Sequence, residues 1–211
     1  MALSAAVWRL TSGTANALFT GMTSVARRGA LEAGFSLIEM MFVTGIMGVL
    51  AGIAALQIGA SRPGLLGDGG MRVVLSQMNQ AREMAITQRR NMRVVFTGVN
   101  TVEVYREEVP GPTLTLVRTV PMEGGVQFLL TVGLPDTPDA FGNGTALAFG
   151  IATEVKFAPD GTLVNQSGAS INGSVFLAIT GNSLSSRAVT VLGSTGRVRG
   201  YRWDGRVWKM V

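Results

Sequence analysis

Gly34-Phe35-Ser36-Leu37-Ile38-Glu39 opens the stretch FSLIEMMFVTGIMGVLAGIAALQI, residues 35–58, in which Glu39 is the only charged side chain. As a helix rising about 1.5 Å per residue, this stretch extends about 36 Å. That is enough to cross a hydrocarbon core roughly 30 Å thick. Arg27 and Arg28 lie just before it and the next basic residue is Arg62. The positive-inside tendency therefore puts the N-terminal side in the cytoplasm and the remainder outside. A secretory signal has a shorter apolar core with a small-residue cleavage site after it. This run is longer, begins abruptly after a glycine, and carries a carboxylate near its start. A carboxylate close to hydrocarbon is costly and usually has a partner or a task. A plain membrane anchor gives Glu39 neither.

Composition agrees with one concentrated apolar segment on an otherwise globular chain. Of the 211 residues 47% are hydrophobic and 15% charged. Cysteine and histidine are both absent, which removes disulfides, thiolate chemistry, the commonest general base and the commonest metal ligand. No cofactor is expected. Asp136, Asp139, Glu154 and Asp160 fall at loops or strand ends without a base partner, so the chain reads as a non-enzyme. Gly142-Asn143-Gly144 and Gly67-Asp68-Gly69-Gly70 are glycine-rich but form neither the dinucleotide nor the P-loop pattern.

The opening motif resembles the cleavage site of type IV prepilins and type II secretion pseudopilins. The resemblance rests on glycine, phenylalanine, a small residue, two aliphatics and glutamate ahead of a membrane-length helix. It implies that a prepilin peptidase cuts between Gly34 and Phe35 and that the new amine of Phe35 is methylated. Residues 1–34 are then a leader, 35–58 the anchor of a single-pass inner-membrane protein, and Glu39 the fifth residue of the mature chain. The family assembles such chains with other pilins or pseudopilins into a filament. In an apolar bundle of anchors an unpaired carboxylate is costly, and pairing with a neighbour's N-terminal amine satisfies both charges. Glu39 would thus set the axial register. A 34-residue leader exceeds the short basic leaders common in the family. Met22 opens a shorter one, MTSVARRGALEAG, and is the expected start, with Met1 as the alternative.

Residues 59–70 contain five glycines, Pro63 and Asp68, so the anchor helix is expected to end, kink or loosen there, as a flexible segment. The globular part, 71–211, should begin with a helix from Met71 to about Arg90. Its apolar stripe Val74, Met78, Ala81 and Ala85 would face the core. Strands follow over 93–96, 101–105, 113–120, 126–130, 154–157, 162–164, 175–180, 188–192, 197–203 and 207–211. Turns are expected at Gly98-Val99-Asn100, Pro159-Asp160-Gly161 and Asp204-Gly205, the last as a two-residue hairpin. Residues 133–144 should form an exposed loop. The fold class is α+β, pilin-like: a long N-terminal transmembrane helix packed on an antiparallel sheet domain.

In the C-terminal half, residues 155–162 (VKFAPDGT), 175–179 (VFLAI) and 196–199 (GRVR) resemble the GspH/FimT branch. That branch implies a minor pseudopilin in or at the tip of a type II secretion pseudopilus, supporting protein secretion. The alternative is a FimT-type minor pilin that binds DNA for uptake. Residues 187–211 hold six basic residues against one acidic. Strand alternation sets Arg197, Arg199, Tyr201 and Trp203 on one face. A two-residue turn would add Arg206 opposite Trp203 and Trp208 opposite Tyr201. Three arginines beside three aromatics is the composition of a single-stranded nucleic-acid platform. The competing reading makes the aromatics ordinary core and the arginines a solvated edge.

Overall fold

A single helix, α1 (Leu37–Gln88, 52 residues), dominates the N-terminal half of the computed structural model, which describes residues 34–111, 113–136, 138–150 and 153–211. The leader expected over 1–34, with Met22, Arg27 and Arg28, lies outside the described residues except for Gly34. By contact the chain divides into one unit ending at Gly45 and a second, Ile46–Val211. In the first, Ser36 caps the helix: its hydroxyl accepts the Glu39 amide at 3.2 Å. The Ser36 carbonyl accepts from Met40 at 3.1 Å.

The break expected over 59–70 is absent, and the helix expected from Met71 is the continuation of the first. Pro63 sits inside α1, where it lacks a donor and crowds the preceding turn at a cost of about 3 kcal/mol. Tertiary contacts on its C-terminal side offset this. Two of the glycines there are close-approach positions: a Cβ on Gly67 would run into the Ser185 carbonyl, and one on Gly70 would lie 2.7 Å from Val126. Residues that read as helix breakers are spent on letting helix and strands touch. The helix stops at Gln88, with Arg89 in the left-handed region (φ 50°) and the Arg90 amide bonded to the Ala85 carbonyl.

Among the described residues, eleven strands follow: β1 (Met92–Thr97), β2 (Thr101–Glu107), β3 (Leu114–Pro121), β4 (Val126–Phe128), β5 (Leu147–Ala148), β6 (Glu154–Phe157), β7 (Leu163–Val164), β8 (Gly173–Ile179), β9 (Asn182–Leu192), β10 (Arg197–Trp203) and β11 (Trp208–Met210). They form two antiparallel sheets. The first runs β3-β2-β1-β6-β7 and the second β11-β10-β9-β8-β4, with β5 also on β8. Strand β4 does not extend the β1–β3 meander, because Val126 pairs with Ile179 and Phe128 with Leu177 of β8. The hairpin at Gly98-Val99-Asn100 closes on Thr97 and Thr101. The Pro159-Asp160-Gly161 turn is held by the Gly161 amide on the Ala158 carbonyl and by the Asp160 carboxylate on Thr162. Strand β5 and the polar start of β9 carry too little alternation for the sequence to mark them.

Both sheets and the helix share one core. Met71, Val74, Met78, Ala81 and Ala85 of α1 pack with Val94 and Phe96 of β1, Phe157 of β6, and Val175, Val189 and Val191 of the second sheet. The expected stripe is the buried one, and Met71 joins it at the same spacing. Each fully buried large side chain contributes about 1.5–3 kcal/mol. The architecture is thus the α+β one that the resemblance implies, with one long N-terminal helix packed on antiparallel sheets. From Leu37 to Ile58, by contrast, every residue is exposed. The helix is long and apolar enough to cross a membrane.

Candidate functional site

Two regions hold the residues singled out in the sequence. The first is the start of α1. Gly34, Phe35 and Ser36 precede the helix, are exposed, and among the described residues nothing lies within 4 Å of a Cβ placed on Gly34. The Gly34–Phe35 bond lies in non-helical backbone. Glu39 stands at the third helical position, where the macrodipole favours a carboxylate. Ser36-x-x-Glu39 has the spacing of a capping box, in which the serine accepts the amide three residues on. The sequence carried this signal in full, and it gives Ser36 a structural task beyond being small.

The second region is the β10–β11 hairpin, where the register differs from expectation. Trp203 opposes Trp208, Arg202 opposes Lys209, and Tyr201 opposes Met210. Asp204-Gly205 is therefore not a two-residue turn, and Arg206 does not face Trp203. Four residues, Asp204 to Val207, make the connection. The Asp204 carboxylate accepts the amides of Arg206 and Val207, each at 2.8 Å, and Gly205 has φ 101°. Lys209 adds an ion pair at 2.8 Å. The ammonium of Lys209, followed by the Val207 and Arg206 amides, holds the Asp204 carboxyl well below the usual range. An aspartate that can reach two amides wins over the tighter Asp-Gly turn.

Nor is the aromatic face open. Tyr201 and Trp203 are buried. Tyr201 packs with Phe176 and Ala188, and partly buried Leu130 and Trp208 join them in a small second core. The rings of Trp203 and Trp208 meet edge to face at 5.3 Å. What covers this face includes the loop expected to be exposed. Pro138 is buried, and the Trp208 indole donates to the Pro135 carbonyl at 2.7 Å. The Asp139 carboxylate accepts from Thr190 (2.7 Å), Tyr201 (2.8 Å) and Arg199 (2.9 Å). Burial pushes the Asp139 carboxyl up, but bonds from Thr190 and Tyr201 and the Arg199 charge outweigh it, and the net direction is down. Asp139 is therefore ionised at neutral pH, and the loop stays fastened to the sheet. Proline and glycine marked the loop, but one aspartate meeting three donors far away in sequence decides where it lies.

The basic tail is likewise divided. Arg187 is 1% exposed. Its guanidinium donates to Asp68 at 2.6 Å and to the carbonyls of Gly64 (2.7 Å), Leu184 (2.9 Å) and Ser186 (2.8 Å). It fastens β9 to the helix one turn past Pro63. Arg202 reaches the other Asp68 oxygen at 3.9 Å. With Arg199 and Lys209 also paired, Arg197 and Arg206 are the two cations of this tail with no carboxylate within 4 Å among the described residues.

No family model matches the chain, and no curated protein matches it. Among solved structures, a crystal structure of the type IV minor pilin FimU of Pseudomonas aeruginosa is similar at 11% sequence identity. The alignment covers 67% of this chain and 91% of that one, with a TM-score of 0.45.

Proposed function

We propose that this chain is a minor pseudopilin, trimmed between Gly34 and Phe35 by a prepilin peptidase, methylated on Phe35, and built into or onto the tip of a type II secretion pseudopilus. Residues 35–58 anchor it in the inner membrane, with the N-terminus cytoplasmic and the globular part outside. The role is structural, not catalytic. One observation carries the reading: the Gly34–Glu39 motif leads directly into a helix that is apolar and unpartnered from Leu37 to Ile58, then buried in its own domain from Gly67 onward. Such a helix needs a different apolar surrounding at each stage, lipid before assembly and neighbouring helices after it. Mass spectrometry of the chain extracted from membranes of cells with active peptidase tests this. The expected N-terminus is methylated Phe35. An intact leader would end the assignment.

The second reading, a FimT-type minor pilin that binds DNA for uptake, is favoured by exposed Arg197 and Arg206, which lack carboxylate partners among the described residues. Tyr201 and Trp203 are buried, so this reading now relies on phosphate contacts without base stacking. DNA affinity should then fall with salt at a log–log slope of about 1–2, near 0.9 per phosphate neutralised on duplex. Arg197→Ala with Arg206→Ala should remove most of that slope, and salt-independent or absent binding would leave the secretion reading alone.

A further inference from the structure

At the end of the domain where α1 enters, several loops surround the helix. Leu66 packs against Gly124 in the β3–β4 connection, and a Cβ on Gly67 would strike the Ser185 carbonyl of β9. Arg187 bonds to the carbonyls of both Gly64 and Leu184. The β10–β11 turn lies alongside, with a Cβ on Gly205 falling 4.0 Å from the Leu184 side chain. This end leaves three large apolar side chains in the open: Leu65 at 69%, Leu184 at 56% and Val207 at 54% exposure.

Its charge is biased. Arg62, Arg202 and Arg206 are exposed cations here. Of the carboxylates, Asp68 is taken by Arg187 and Asp204 by Lys209, which leaves Glu123. Exposed leucine and valine beside arginines on a turn and a helix is the composition of a surface that lies in a lipid headgroup layer.

The position fits. Glu39 belongs at the opposite boundary, and about 20 helical residues cross the hydrocarbon. Counting from Met40 brings the far edge to about Gly59. Arg62 and Leu65 then stand about 4 and 9 Å beyond it, at 1.5 Å per residue. Leu184 and the 204–207 turn flank that same helical turn. By contrast Gly196, in the β9–β10 turn, packs on Arg82, about 25 Å further along the helix.

We propose that this end of the domain, with Arg62, Leu65, Leu184, Arg206 and Val207, docks on the anionic membrane surface while the chain is unassembled. The arginines contact lipid phosphates and the apolar side chains enter the interface. The domain is thereby held in one orientation over its own anchor, and leaving the membrane for a filament means giving up these contacts. The proposal rests on residues 35–58 spanning the bilayer.

Because the 211-residue sequence contains no cysteine, single-cysteine fluorophore labels test it cleanly. Variants Leu184→Cys, Val207→Cys, Ser194→Cys and Ile53→Cys are reconstituted in phosphatidylcholine vesicles with and without phosphatidylglycerol. Quenchers are carried either on lipid headgroups or on acyl chains. Headgroup quenching is expected to be strong at 184 and 207, weak at 194, and greater with phosphatidylglycerol. Arg62→Gln and Arg206→Gln should each lower the docked-to-free ratio about fivefold. Labels at 184 and 207 no more quenched than at 194, with Ile53 quenched by acyl chains, would overturn the docking surface and leave the anchor intact. Ile53 unquenched by acyl chains would overturn both.

Discussion

Asp68→Ala is expected to destabilise the globular domain by about 3 kcal/mol, toward the low end of the range for breaking a buried ion pair. The reason lies in what it leaves behind. Arg187 is 1% exposed and Asp68 25% exposed, so the substitution strands a guanidinium where water cannot reach it. Three backbone carbonyls still accept from it, which keeps the cost from rising further. Arg187→Met with Asp68→Ala removes the charge as well as its partner, and much of the loss should return. The two changes should therefore be strongly coupled in a double-mutant cycle. Denaturant melts of the detergent-solubilised chain, followed by tryptophan fluorescence, supply the four stabilities. If Asp68→Ala lay within about 0.5 kcal/mol of the parent, as at an ordinary surface site, Arg187 would not be the fastening described.

The second large effect concerns the start of α1. Gly34→Val is expected to leave the precursor uncut, because under the proposed processing a branched side chain would obstruct the peptidase at the Gly34–Phe35 bond. Glu39→Ala should still be cut and still inserted, since removing a charge from an apolar segment eases insertion. Its failure should come later, as an almost complete loss of the mature chain from filaments. Without the carboxylate, a neighbour's N-terminal amine has no partner in the apolar bundle. Ser36→Ala separates the two tasks of this turn. It removes the hydroxyl that caps Glu39, at about 1 kcal/mol, but leaves the carboxylate, so incorporation should survive. Normal filament content of Glu39→Ala in sheared-surface fractions would refute charge pairing.

The helix and the hairpin differed from expectation for related reasons. Gly67 and Gly70 read as breakers because intrinsic propensity is a local quantity. Their value here is the missing side chain, which lets β9 and β4 approach the helix. The Asp204-Gly205 pair read as a tight turn because such dipeptides favour one. The carboxylate's two amide bonds and Lys209 select a longer connection, and a shift of pairing changes which residues share a face. Arg187 read as part of a basic surface because charge counting has no depth. Only its four acceptors, two of them more than a hundred positions away in sequence, bury it.

What the sequence determined by itself was whatever depends on neighbours along the chain. This covers the apolar run over 35–58, the Gly34–Glu39 motif, the buried stripe Val74-Met78-Ala81-Ala85, and most strands, since periodicity fixes which side of an element is apolar. Tertiary structure alone decided the partition into two sheets, the continuity of α1 through Pro63, and the closing of the 133–144 loop over Tyr201 and Trp208. It also decided which arginines are free. Each of these is a competition between a local preference of about 1–3 kcal/mol and long-range contacts of similar size, and only the folded chain brings the two sides together.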